Sequence, residues 1–293
     1  MSIPESRRKK LEMLTRSLAA GQTSRAEEVL ASVGRRPRVT RPPGEPLPLT
    51  KAVAGTQRDG PRGPYWLVRR ALAEVSGDYA AVQRQHAAVL RGARQRLDEL
   101  DASAALCHVA DGTPDGPLFL DIETCGLVGA CIFLVGLMQY RDGELIFEQH
   151  FARHYGEEPA ILAAFAERLA TAATLITFNG KAFDMTNLRE RAAFHGVELG
   201  PEPPHCDLLH ESRRRWRKAL PNCRLQTLEQ YLCKRRRVGD IPGADIPEAY
   251  HRFVRDCDAS RIKAILHHNL LDLLTMSQLL CAILTGEQPD LQQ

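Results

Sequence analysis

The sequence lacks any apolar stretch long enough to cross a membrane. Its longest apolar run, residues 131–138, is far shorter than the roughly 20 residues that a membrane-spanning helix needs. The charged N-terminus, MSIPESRRKK, has no apolar segment behind it, so no signal peptide is visible. We therefore expect no membrane partner and a cytoplasmic location.

Closely spaced cysteine pairs are also missing. The eight cysteines occur singly, with no CxxC motif anywhere in the sequence. Zinc ribbons and dithiol redox proteins need such pairs, so the pattern argues against both classes. We expect the thiols to be reduced and to serve as small, partly buried side chains.

The chain has little net charge, but the charge is unevenly distributed. Of the total of +3, residues 1–100 contribute +9 and residues 101–293 contribute −6. A basic first part fits a polyanionic partner such as nucleic acid, although a solvated basic surface explains it equally well. The length of 293 residues indicates one or two globular domains with a sizeable core.

The chain is predicted to divide into four segments. Gly and Pro account for 12 of the 31 residues from 34 to 64, which is typical of a linker. After it, residues 65–68 predict a strand and residues 78–100 a helix. The segments are a helical basic N-terminal segment (1–33), the Pro/Gly-rich linker (34–64), a strand-and-helix extension packing on the core (65–116) and an α/β domain (117–285).

The last segment alternates strand and helix patterns. Apolar runs on both sides of Asp142 and Gly143 indicate a hairpin, because Asp-Gly is a favoured hairpin turn. The helical patterns cover residues 157–170, 183–195 and 259–284, the last of them capped by Asp258. Strands near a hairpin, followed by alternating helices and strands, predict a layered α/β domain.

Four carboxylates in this domain are placed where they can meet. Asp121 and Glu123 end an apolar strand and, two residues apart, point to the same face. Asp184 opens a helix, and Asp272 lies among leucines in the final helix, where a charge needs a partner or a cation. Oxygen ligands suit Mg²⁺ or Mn²⁺, and two such ions about 4 Å apart catalyse phosphodiester cleavage. Taken singly, each residue also fits a structural role such as a strand-end turn or a helix cap.

Three motifs around these residues resemble those of the DEDD (DnaQ-like) 3′-to-5′ exonucleases, in the ribonuclease H-like superfamily. Residues 121–127 (DIETCGL) are similar to their first motif, DxExTGL, residues 179–184 (NGKAFD) to NxxxFD, and residues 268–272 (HNLLD) to the third. Residues 207–210 and 239–243 resemble the bacterial YprB-like branch. The resemblance implies a mixed five-stranded sheet flanked by helices, with two ions, Mg²⁺ or Mn²⁺, held by Asp121, Glu123, Asp184 and Asp272.

The resemblance also implies a base near Asp272, either a His five residues earlier or a Tyr four residues earlier. This sequence has His267 at the first spacing and His268 at the second. In a continuous helix His268 lies about 40° from Asp272 and His267 about 140° away, at about 100° per residue. We therefore predict that His268 is the base that deprotonates water, and that His267 is a partly exposed helix residue.

Further residues are predicted to contact nucleic acid. In the resembling family the first-motif loop receives the terminal nucleotide, which implies roles for Thr124, Gly126 and the wedging Leu127, and for Asn179 and Phe183 of the second motif. Cys125 stands where a second Thr is common, so contacts to the sugar are expected to differ.

Residues 205–240 form a basic segment, with 10 Lys and Arg against 4 Asp and Glu. Arg213, Arg214 and Arg217 surround Trp216, a pattern that suits phosphate contact with base stacking. Residues 234–237 (KRRR) form a second basic cluster. The alternative is that Trp216 lies in the core and the arginines are its solvated flanks.

These observations predict a metal-dependent 3′-to-5′ exonuclease acting on a single-stranded 3′ end of DNA or RNA. Two alternatives stay open. The first is a structure-specific endonuclease, whose reaction the same metals catalyse. The second is a nucleic-acid-binding module that has this fold but no catalytic turnover.

Overall fold

The computed structural model describes five stretches of the chain, residues 45–75, 80–97, 99–100, 102–127 and 129–291. From Pro46 onward the chain forms one compact unit. The helical segment predicted over residues 1–33 and the first part of the predicted linker lie outside the described residues. Within the described part of the chain, no helix is long and apolar enough to cross a membrane.

A mixed sheet is the centre of the fold. Its described strands follow the order β1-β2-β5-β4-β3-β6-β7 across the sheet. The pairs β3–β6 and β6–β7 are parallel, and the other pairs are antiparallel. The strands are β1 (Thr56–Gly60), β2 (Gly63–Ala71), β3 (Pro117–Thr124), β4 (Ile132–Arg141), β5 (Glu144–Phe151), β6 (Thr174–Thr177) and β7 (His205–Asp207).

The hairpin between β4 and β5 is the one that the Asp-Gly pair predicts. Arg141 pairs with Glu144 across a two-residue loop. Asp142 and Gly143 both have positive φ, 51° and 89°, as a tight turn that matches the twist of the strands requires.

In the described part of the chain the sheet has seven strands where five were expected, because β1 and β2 extend its antiparallel edge. β2 pairs with β5, and β1 pairs with β2 at the outside. β1 and the short helix Leu49–Ala52 lie within residues 34–64, which were expected to be a linker. The sequence of β1, TQRDG, has no apolar alternation because the strand is an exposed edge, so the pattern carries no strand signal.

Helices cover both faces of the sheet. The predicted helix 78–100 is shorter in the structure and ends at Arg91, before Gly92 and a 3₁₀ turn. The helices are α1 (Leu49–Ala52), α2 (Leu72–Val75), α3 (Ala80–Arg91), α4 (Ala104–Asp111), α5 (Glu158–Leu169), α6 (Asp184–His195), α7 (Leu208–Trp216), α8 (Leu225–Cys233), α9 (Ile246–Asp256) and α10 (Ile262–Thr285).

Alternation along β3 decides which side chains face which helical layer. Leu118, Leu120 and Ile122 belong to the core shared with α5, α6 and α9. Phe119 belongs to the opposite core, shared with α3, α7, α8 and most of α10. Because strand side chains alternate, Asp121 and Glu123 share the face of Phe119 and point toward the α10 side.

Helix α10 crosses closely over the sheet. Asp258 accepts a hydrogen bond from Ser260 N at 3.1 Å and so caps the 3₁₀ turn that leads into the helix. At Gly136 of β4, an added Cβ would overlap the side-chain amide of Asn269. The missing side chain therefore allows α10 to approach the sheet, which brings the middle of the helix next to β3.

Candidate active site

The first two carboxylates of the site lie at the end of β3. Asn269 of α10 donates hydrogen bonds from Nδ2 to Asp121 Oδ2 at 2.8 Å and to Asp121 O at 3.2 Å. Gln149 of β5 donates in turn to Asn269 Oδ1 at 2.8 Å. This buried chain of amides orients Asp121 from the sheet and from α10 together.

Asp184 joins this group from the N-terminus of α6. Its Oδ1 accepts a hydrogen bond from Ile122 N of β3 at 3.2 Å, which fixes the start of the helix against the strand. The side chain is buried, and this burial raises its pKa to about 7, although the hydrogen bonds from its own backbone and from Ile122 oppose the shift.

The loop before α6 is organised by Asp207, which ends β7. Asp207 accepts hydrogen bonds from Asn179 N at 2.8 Å and Lys181 N at 3.2 Å. It also caps α7 through Leu209 N at 3.0 Å. Asn179 has a φ of 65°, and an added Cβ at Gly180 would meet Thr177, so the turn depends on both positions. Asp207 thus sets the path of the chain that leads to Asp184.

The fourth carboxylate, Asp272, is paired with a buried arginine. Arg237 Nη2 lies 2.5 Å from Asp272 Oδ1, and Arg237 Nε lies 2.7 Å from Glu229 Oε2. Its Nη1 reaches Asp240 Oδ2 at 3.2 Å. One guanidinium therefore partly neutralises three acidic groups next to the centre of the site.

His268 lies beside Asp272, one turn earlier on α10. The distance from His268 Nε2 to Asp272 Oδ2 is 3.5 Å, and His268 Nδ1 is 2.8 Å from Asp240 Oδ2. His267 is exposed on another side of the helix. The helical geometry behind the prediction of His268 therefore agrees with the positions of the two rings.

Burial and neighbouring negative charges raise the pKa of the carboxylates in the site. Burial raises the pKa of Asp121 well above its usual value, and the charges of Asp272, Glu123 and Asp184 add to the shift. Burial also raises the pKa of Glu123, with Asp272 and Asp184 as the next causes. For Asp272, burial outweighs the opposing effect of Arg237, so its pKa is raised as well. Such a group of unfavourable negative charges is stabilised by a bound cation.

The donor set fits a hard divalent cation, because it consists of carboxylate oxygens from β3, α6 and α10. Among the described residues, however, no three acidic, His or Cys side chains already form a coordination cluster. Arg237 holds Asp272 Oδ1, Asn269 holds Asp121 Oδ2 and Ile122 N holds Asp184 Oδ1. Side-chain rotations would be needed for the remaining oxygens to ligate an ion together.

Among the described residues of the loop after β3, one apolar side chain is exposed. Leu127 is 86% exposed, whereas Thr124 is buried and its hydroxyl donates to Gly126 O at 2.6 Å. Asn187 of α6 accepts from Gly129 N at 2.9 Å and so anchors the far side of the loop. Of the predicted nucleotide-contacting residues here, Leu127 and Gly126 are thus accessible, while the Thr124 hydroxyl shapes the loop.

The residues predicted in the second motif and on the basic helix differ in exposure. Asn179 is exposed, and Phe183 packs partly against the core. Arg213, Arg214 and Arg217 are exposed on α7. Together with three other basic side chains they line a surface cavity of about 460 Å³: His210, Arg213, Arg214, Arg215, Arg217 and Lys218.

The predicted stacking role of Trp216 is wrong, and the alternative that Trp216 lies in the core is confirmed. Trp216 is only 1% exposed, and its indole N–H donates to Glu287 O at 3.2 Å, so it is a core residue that cannot stack on a base. In the cluster 234–237, Arg235 and Arg237 turn inward because the buried Glu229 binds both guanidinium groups. Glu229 itself is 1% exposed and would otherwise be an unpaired buried charge.

Several residues of the site escape analysis of the sequence. Arg237 and Asp240 reach it from the segment after α8, and Asn269 reaches it from α10. A signal existed for Asn269, since it precedes Asp272 by three residues on the same helix face. For Asp240 the signal was its place in residues 239–243, the stretch that resembles the YprB-like branch.

A mixed sheet of this strand order, with two carboxylates on a central strand facing a helix that carries a third, defines the ribonuclease H-like class. The family model of the RNase H superfamily matches residues 118–283, and the chain belongs to this superfamily. It is also similar to "Uncharacterized protein YprB" of Bacillus subtilis (strain 168), with 34% identity over 166 residues. That match covers 55% of this chain but only 40% of the relative. Membership suggests nuclease activity, and nucleases of this fold typically use divalent metals.

Proposed function

We propose that the protein is a metal-dependent nuclease that removes nucleotides from the 3′ end of a nucleic acid strand. The observation that carries the proposal is the meeting of four carboxylates, from β3, α6 and α10, at one end of the central strand. Burial raises the pKa of all four, and the charge of Asp272 adds to the shift for the other three, so that the group favours binding a cation. A purely structural cluster would be expected to pair each acid with a base, and only Asp272 has an arginine partner among the described residues.

Each acidic residue has a role in this proposal. Asp121, Glu123, Asp184 and Asp272 would hold two ions, Mg²⁺ or Mn²⁺. Bound divalent ions in such a site activate a water and stabilise the leaving oxygen of the phosphodiester. Asn269 and Ile122 N keep two of the carboxylates oriented through their hydrogen bonds, at 2.8 and 3.2 Å.

His268 is the group that would accept the proton of the attacking water. Its Nε2 lies 3.5 Å from Asp272 Oδ2, which places it at the rim of the acidic group rather than outside it. Imidazole suits proton transfer near neutral pH because its ordinary pKa is close to that range. His267, which is exposed, has no equivalent position.

Two surfaces support a nucleic acid substrate. The exposed Leu127 stands on the loop that follows Glu123, where it is available to pack against a terminal base. The N-terminus of the basic helix α7 is capped by Asp207, the same residue that holds the loop leading to Asp184. Phosphates bound along Arg213, Arg214 and Arg217 would therefore belong to a strand that approaches the site from α7.

The test uses 5′-labelled single- and double-stranded DNA and RNA with Mg²⁺, Mn²⁺ or EDTA. The matched variants are Asp184→Asn, which keeps the side-chain shape, and Glu198→Gln, an exposed residue outside the site. We expect a metal-dependent ladder that shortens from the 3′ end, is lost in Asp184→Asn and is unchanged in Glu198→Gln.

Other outcomes of this test distinguish the alternatives. Internal cuts with the same dependence on metal would favour a structure-specific endonuclease. Binding without cleavage of any substrate, with either metal, would favour a non-catalytic nucleic-acid-binding module and would contradict the proposal.

A further inference from the structure

Asp240 contacts the predicted base of the site, although it belongs to none of the three acidic motifs. It lies in the segment between α8 and α9, directly after Gly239, whose φ is 74°. The next residue, Ile241, is buried in the core and anchors the backbone at this point. This turn therefore places the Asp240 carboxylate in the site.

We propose that Asp240 is a positioning residue that fixes the ring orientation and the tautomer of His268. This inference rests on the proposed function for its catalytic meaning, but its structural part stands separately. The distance from Asp240 Oδ2 to His268 Nδ1 is 2.8 Å, and both side chains are only 10% exposed. A neutral imidazole carries one N–H, and a carboxylate accepts but does not donate. In the neutral ring the proton therefore lies on Nδ1, and Nε2 is left with a free lone pair on the side of Asp272.

The other contact of the ring agrees with this assignment. Nε2 of His268 is 3.5 Å from Asp272 Oδ2, which is longer than a good hydrogen bond. Nε2 is therefore free to accept a proton from a water in the site. Without an acceptor at Nδ1, the ring would be able to rotate or to carry its proton on Nε2, and Nε2 would then no longer be a base.

The way in which Asp240 is held distinguishes positioning from simple charge pairing. If Asp240 served only to neutralise Arg237, both of its oxygens would be expected to face the guanidinium. Instead a single oxygen, Oδ2, receives both His268 Nδ1 and Arg237 Nη1, the latter at 3.2 Å. The second oxygen, Oδ1, is buried and has no partner among the described residues. The arginine thus holds the carboxylate in place, and the carboxylate is directed at the histidine.

The first test is a spectroscopic one on the full chain without metal. ¹⁵N spectra of labelled histidine report which ring nitrogen carries the proton, and the His268→Gln variant identifies the signals of His268. In the neutral form of the ring we expect the proton on Nδ1 and none on Nε2. In Asp240→Ala the proton should move to Nε2, whereas Asp245→Ala, an exposed residue of the same segment, should leave the spectrum unchanged. A neutral ring with its proton on Nε2 in the wild type, or a tautomer that is unaffected by Asp240→Ala, would overturn the proposal.

The second test is kinetic and uses a double-mutant cycle. Asp240→Ala should lower kcat about 10- to 100-fold with little change in KM, as loss of such supporting contacts does at other sites. Asp240→Asn, which keeps an oxygen acceptor, should recover part of the loss. In the His268→Gln background Asp240→Ala should have no further effect, because the two residues act as one unit.

The results separate this inference from the proposed function. If the wild-type protein cleaves nothing, the proposed function fails, and the ¹⁵N spectra alone decide the role of Asp240. If the wild type cleaves, two results would refute the positioning role. One is an Asp240→Ala variant that is as active as the wild type. The other is an Asp240→Ala substitution that lowers activity equally in the wild-type and His268→Gln backgrounds.

Discussion

Neutralising Asp184 should stabilise the protein when metal is absent, although it should abolish activity. Burial raises the pKa of Asp184 from its ordinary value of 3.8 to about 7. Between these pH values the folded protein retains a proton that the unfolded chain has lost, so stability falls as pH rises and levels off above about pH 7. The full difference costs about 4 kcal/mol, at about 1.4 kcal/mol per pH unit.

The variant Asp184→Asn removes this cost because an amide does not ionise. Its oxygen can still accept the hydrogen bond from Ile122 N. We expect Asp184→Asn to be about 2–4 kcal/mol more stable than the wild type at pH 8 in EDTA, which corresponds to a Tm higher by roughly 5–15 °C. The gain should shrink toward pH 4, where the unfolded carboxyl also becomes protonated.

The assay is urea unfolding at several pH values in EDTA, with Glu198→Gln as the exposed control. With Mn²⁺ the wild type should become more stable than Asp184→Asn, since the ion stabilises the wild type but binds the variant weakly. A variant that is no more stable than the wild type at pH 8 in EDTA, or a difference that does not vary with pH, would refute the reasoning about the buried acidic group.

Three further predictions concern the surroundings of the site. Without metal, Arg237→Gln should lower the free energy of unfolding by about 3 kcal/mol, because Glu229 loses a buried partner. Urea unfolding measures this change, and an unchanged midpoint would contradict the prediction. His268→Ala should reduce the cleavage rate at least tenfold and His267→Ala hardly at all, and the reverse order in single-turnover assays would refute the choice of base. The double variant Arg213→Glu with Arg217→Glu should weaken binding of labelled single strands and flatten its salt dependence without changing Tm, whereas unchanged affinity would exclude α7 from the interface.

Parts of the fold that depend on local patterns are predictable from the sequence. The Asp-Gly pair at 142–143 gives the β4–β5 hairpin because few residues adopt positive φ easily. The two-residue spacing of Asp121 and Glu123 places both on one face of β3, and α10 approaches that face. The expected α/β class and the ribonuclease H-like fold are confirmed.

The parts that depend on long-range pairing are not predictable in this way. β1 is polar and almost fully exposed, so that only its pairing with β2 makes it a strand. Trp216 and the arginines around it have the same sequence pattern whether the indole faces solvent or the core. Arg235 and Arg237 turn inward because both pair with the buried Glu229. The sequence does not indicate this pairing, because the partners are separated along the chain.

In the proposed function the four carboxylates form the metal-dependent catalytic centre of a nuclease. The most direct test is the rate at which nucleotides are released from the 3′ end of a labelled single strand, with Mn²⁺ and with EDTA, by the wild type and by Asp121→Asn. We expect release by the wild type with Mn²⁺ only, and none by the variant. Equal release in EDTA, or by Asp121→Asn, would contradict it.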